Sequence, residues 1–143
     1  MFAQRSRKGV ICLVAVAIGI TVVGGFGAQT AFARITANTI DPVAVVADNG
    51  RDVIVTGPIS CPEGERAYLR VTVTQRSTGA VAEGRTFIAC MESTQQWEVH
   101  ASTQGKDTFV EGPATATAVA RTAEREETTD AHQWLVDIAL VGE

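Results

Sequence analysis

The chain has 143 residues, of which 12 are Lys or Arg and 16 are Asp or Glu, for a formal net charge of −4. Arg5, Arg7 and Lys8 precede residue 34 and every acid follows it, so residues 34–143 carry 9 − 16 = −7. That sign excludes a nucleic-acid binder, which needs a basic face to neutralise phosphates, and it excludes adsorption to anionic lipid headgroups.

The first element is a leader. Arg5, Arg7 and Lys8 precede an apolar run from Val10 to Gly27, and Ala31-Phe32-Ala33 puts small residues one and three positions before a cut. This order is that of a secretory signal-peptide helix, residues 1–33, with cleavage between Ala33 and Arg34. The remaining 143 − 33 = 110 residues, 34–143, make one domain and are expected to be secreted. An uncleaved anchor is the competing reading, because the stretch from Val10 to Gly27 is just long enough to span a bilayer. Gly24-Gly25 would break that helix near its end, which favours cleavage, so membrane contact is expected only through the leader.

Beyond the leader, period-two alternation with β-branched residues dominates. Val43 to Ala47 reads as a short strand and Asp48-Asn49-Gly50 as a turn. Asp52 to Cys61 follows, interrupted by Gly57-Pro58, which places that strand at an edge or bulges it. After the turn at Pro62 to Glu65, Ala67, Leu69, Val71 and Val73 alternate with Tyr68, Arg70, Thr72 and Thr74 in the cleanest half-buried strand. Arg76 to Gly79 is a hairpin turn, and the next strand runs to Cys90, most clearly over Arg85 to Cys90. Gln95 to Ser102 puts Trp97, Val99 and Ala101 inward and Glu98 and His100 outward. Phe109 to Ala120 reads as a strand, Arg121 to Asp130 as a charged hairpin tip, and His132 to Val141 as the last strand. Trp134, Val136, Ile138 and Leu140 share that strand's inner face. The segments 51–60 and 106–115 echo each other around Gly-Pro, which suggests two strands of one kind. The expected fold is all-β: an immunoglobulin-like β-sandwich of seven or eight short antiparallel strands.

Cys12 leaves with the leader, and Cys61 and Cys90 remain, with 90 − 61 − 1 = 28 residues between them. An even pair in an oxidising compartment reads as one disulfide rather than two buried thiols. No catalytic residue is assigned, since no serine sits in a glycine-flanked elbow and there is no H-E-x-x-H, C-x-x-C or phosphate-cradling glycine loop. His100 and His132 read as separate exposed imidazoles, so no metal is assigned. The acids from Glu124 to Asp130 read as a solvated tip and Asp48-Asn49-Gly50 with Asp52 as a plain turn, neither as a calcium site. Trp97 and Trp134 read as core. No cofactor is implied.

The start at Asp41-Pro42, the strand ending Gly57-Pro58-Ile59-Ser60-Cys61, the valine-rich strand ending at Gln75, and Cys90 followed by Trp97 together resemble a known family. It comprises small, exported, single-disulfide actinobacterial proteins with an immunoglobulin-like sandwich. The likeness covers most of Asp41 to Val141 and implies fold and export, with no catalytic residue to transfer. True immunoglobulin domains differ, placing the core tryptophan between cysteines much further apart, whereas Trp97 follows Cys90.

These features converge on a secreted, non-enzymatic binding module whose partner is an extracellular protein or envelope component, reached through a strand edge or end loops. Two alternatives stand. One is an enzyme with dispersed carboxylates around Glu63, Glu65 or Glu124 to Asp130; the other is an envelope protein held by its leader.

Overall fold

The computed structural model describes residues 35, 36 and 38–143. The leader and the expected cut at Ala31, Ala33 and Arg34 lie outside the described residues. Seven strands are described: β1 (Val43–Ala47), β2 (Asp52–Ile59), β3 (Arg66–Gln75), β4 (Ala80–Ala89), β5 (Gln95–Thr103), β6 (Gly112–Glu124) and β7 (Glu127–Gly142). The domain is all-β, and alternation is the cause. Along β3 every second side chain from Ala67 to Gln75 is buried, and along β5 Trp97, Val99 and Ala101 are. Either strand slipped by one residue would turn these groups to water.

The strands run β1-β2-β5-β4-β3-β6-β7 and β7 returns to β1, so they close into one hydrogen-bonded barrel. β1-β2-β5 and β4-β3-β6-β7 are two runs of consecutive neighbours in that circuit, each termed a layer. Neighbours are antiparallel except β1 and β7, which pair in parallel from Val43↔Ala139. Strength around the circuit is uneven. β6 and β7 pair along nearly their whole length, whereas β4 and β5 pair only at Ala82↔Thr103 and Glu83↔Ser102.

Both layers feed one core. Val53, Val55, Ile59, Trp97 and Val99 come from the first, and Leu69, Val71, Val73, Ile138 and Leu140 from the second. β6 adds the methyl groups of Ala114, Ala116, Ala118 and Ala120 and, near its end, buries Thr122 and Ala123. The tryptophans separate: Trp97 is fully buried, whereas Trp134 is half-buried against the core.

Three expectations change. Of the two readings of Gly57-Pro58 the bulge fails, since β2 pairs straight through it with Trp97 and Gln96, and the edge holds, since β1 pairs only with residues 52–54. The carbonyls of Thr56 and Pro58 accept the amides of Asp41 (2.9 Å) and Thr39 (3.4 Å). A strand residue's N–H and C=O point to the same side, so the proline's missing donor faces that segment and removes nothing from the β2–β5 ladder. Gly57 is required there, because a Cβ would lie 2.2 Å from the Thr39 oxygen and 2.6 Å from the Trp97 ring.

The echo fails next, because the second copy is a loop until Gly112. The Phe109 amide bonds the Gly50 carbonyl (2.8 Å), and the Val110 amide bonds Gln75 Oε1 (2.9 Å), so neither is free for a ladder. Finally, the charged tip shrinks to Arg125 and Glu126, both with positive φ, and its flanks are strand. Their cross-strand register shifts once, between Thr122 and Ala123.

Candidate functional site

Cys61 and Cys90 are buried and joined, with an S–S distance of 2.04 Å and a Cα–Cα distance of 5.4 Å. Cys61 follows β2 and Cys90 follows β4, so the bond ties strands that are not neighbours in the circuit. The histidines stay apart on β5 and β7. His100 Nε2 lies 2.7 Å from Glu98, and His132 Nε2 lies 3.2 Å from Asp130. Asp130 also accepts the Ile35 amide (3.1 Å), fastening the start of the described chain to β7. Among the described residues no group of three or more His, Cys, Asp or Glu is placed to hold a metal ion. Nor is any helix there long and apolar enough to cross a membrane. Glu63, Glu124, Glu126 and Glu127 are exposed, while Glu65 is buried under the turn after Cys61.

The chemistry concentrates instead on the outer face of the β4-β3-β6-β7 layer. The alternation that buries Ala67, Leu69 and Val71 turns Arg66, Tyr68 and Arg70 outward. Registers set Tyr68 between Phe87 of β4 and Arg121 of β6, and Arg70 between Arg85 and Val119. β7 adds Leu135, opposite Thr117. The guanidinium of Arg121 sits 4.8 Å from the Tyr68 ring centroid and that of Arg66 sits 5.7 Å from the Phe87 centroid. The two rings are 6.2 Å apart and tilted by 36°. Phe87 is 61% exposed and Leu135 65%, fractions that mark them as surface groups rather than stray core. A shallow cavity of about 340 Å³ opens among Tyr68, Arg70, Arg85, Thr86, Val119 and Arg121.

Charge is the second feature. Four of the nine cations in residues 34–143 lie here, and the outward residues of rows Arg66 to Arg70, Arg85 to Ala89, Val119 to Arg121 and Ala131 to Leu135 include no acid. Glu83 stands at the margin. Arg70 reaches it through Nε and Nη2 (both 3.1 Å) and Arg85 through Nη2 (3.3 Å). The Arg70 hydrogen bonds hold the Glu83 carboxyl below its ordinary range, partial desolvation works against them, and Arg85 adds to the lowering. One carboxylate thus serves two arginines, while Arg66 and Arg121 lie against aromatic rings, Arg121 also donating from Nη1 to Thr128 Oγ1 (3.1 Å). Stacking of this kind fixes a guanidinium while its donor edge stays available.

Sequence reasoning placed Tyr68 and Arg70 on the polar side of their strand and gave them no role. The available signal was an outward aromatic flanked by arginines on a strand whose other outward residues are threonines.

No family model and no curated protein matches the sequence. The family resemblance therefore stands at the level of a single disulfide on an all-β domain. Among solved structures, the chain is similar to WR4, a C. elegans member of the MSP family, at 10% identity and a TM-score of 0.39. The match covers 78% of this chain and 100% of that one.

Proposed function

We propose that this domain is an exported, non-enzymatic binding module that takes an anionic extracellular partner on the outer face of its β4-β3-β6-β7 layer. The observation that carries this is the gathering of Arg66, Arg70, Arg85 and Arg121 around Tyr68 and Phe87 in a domain of net charge 9 − 16 = −7. On such a domain, like charges at one place serve to attract an opposite charge locally while the remaining surface repels it. Export is supported by the leader's charge and hydropathy order and by the disulfide.

The test is retention of the purified 34–143 domain on immobilised polyglutamate at low salt, where a uniformly acidic protein flows through. The wild type is expected to bind and to elute with salt, and the Arg85→Glu/Arg121→Glu variant to flow through while keeping its circular dichroism spectrum. Flow-through of the wild type overturns the proposal.

A further inference from the structure

Charge alone does not account for this face. Phe87 and Tyr68 lie side by side, Val119 is one outward row further along on β6, and Leu135 is a further row along on β7. All four are exposed, and together they cross four strands diagonally. At strand spacings of about 4.8 Å and about 3.4 Å per residue, the diagonal is roughly 20 Å long. Arg66 and Arg121 flank it on one side and Arg70 and Arg85 on the other.

Resting on the reading above, we infer that the partner is a protein, bound through an extended segment in which apolar side chains alternate with carboxylates. Consecutive groups of the stripe are about 6–8 Å apart, the separation of same-face side chains two residues apart in an extended chain. About seven residues of such a chain place four same-face side chains along the diagonal, and the flanking arginines are long enough to reach around it to the acids on its other face. An acidic glycan would stack on Tyr68 and Phe87 but has no use for the aliphatic groups of Val119 and Leu135. A second copy of this face is excluded, since it would set four arginines against four. The chain's own acidic tip, Glu124 to Asp130, carries no large apolar side chain to lie on the stripe.

The experiment measures affinity of the 34–143 domain, and of its Val119→Thr/Leu135→Gln variant, for three labelled probes. These are an eight-residue peptide alternating glutamate with leucine and phenylalanine, an oligoglutamate of equal charge, and oligogalacturonate. The wild type is expected to bind the alternating peptide about tenfold more tightly than either other probe. The variant is expected to lose that preference and keep its binding to oligoglutamate. Equal affinity for all three probes, or a preference for galacturonate, overturns the inference while leaving the anionic-face reading intact. Absence of binding to every probe overturns both.

Discussion

Removing the disulfide by Cys61→Ala/Cys90→Ala is the most informative perturbation of the fold, because the bond closes the weakest seam of the circuit. β4 and β5 share only the pairs at Ala82 and Glu83. At the far end of that seam Gln95 donates to the Ala89 carbonyl (3.0 Å) and accepts the Met91 amide (3.1 Å). The Cys61–Cys90 bond and the Glu92 amide on the Cys61 carbonyl (3.3 Å) tie the end of β4 to the end of β2, the other neighbour of β5. The sequence separation of 29 gives a loop whose release adds about 3.5 kcal/mol of unfolded-state entropy to the cost of losing the link. For a domain of this size the midpoint of thermal unfolding falls by roughly 15 °C. Denaturant melts measure the total, and hydrogen exchange measures where it falls. Protection is expected to drop first at Glu92 and along the β4–β5 seam, with the β6–β7 ladder opening only in global unfolding. A stability loss below about 1 kcal/mol, or equal loss of protection in β6–β7 and at the seam, would refute the argument that the bond substitutes for missing strand pairing.

Three further outcomes follow from named contacts. Gly57→Ala drives a Cβ into the Thr39 carbonyl and the Trp97 ring, and is expected to cost about 2–3 kcal/mol in denaturant melts with a change in Trp97 fluorescence. Gln75 is buried, with its Nε2 donating to the Val110 carbonyl (2.8 Å) and its Oε1 accepting the Val110 amide (2.9 Å). Gln75→Ala strands both groups, for an expected loss of about 2–3 kcal/mol and fast amide exchange at Val110. Glu83→Gln frees Arg70 and Arg85, and is expected to raise affinity for oligoglutamate roughly two- to fivefold. The pH sign agrees. A carboxyl whose folded pKa is lowered contributes stability above its unfolded value of 4.5 and loses it as pH falls through the lower folded value, so an NMR titration should place the Glu83 midpoint below 4.5.

Whatever depended on neighbours along the chain was legible in the sequence, and whatever depended on register across the sheet was not. The inward sets of β3 and β5 and the last four inward residues of β7 follow from alternation, since burial acts residue by residue on a strand. Phe109 and Val110 alternate equally well, yet the backbone of Val110 is claimed by Gln75, 35 positions earlier, and no local signal announces that. Gly57-Pro58 left edge and bulge both open for a related reason, because a proline weakens only the pairing its nitrogen faces, and that side is decided by where residues 38–41 lie. The site shows the same divide more sharply. Tyr68 meets Phe87, 19 positions on, and Arg121, 53 positions on, so two separate registers must form before four unremarkable outward residues become one arginine–aromatic surface. Those registers are themselves pinned by the buried alternate residues beneath, since a one-residue slip of β3 would bury Tyr68 and Arg70 and expose Leu69 and Val71. The core therefore specifies the face: the same apolar alternation that holds the layers together decides which arginines stand beside which rings.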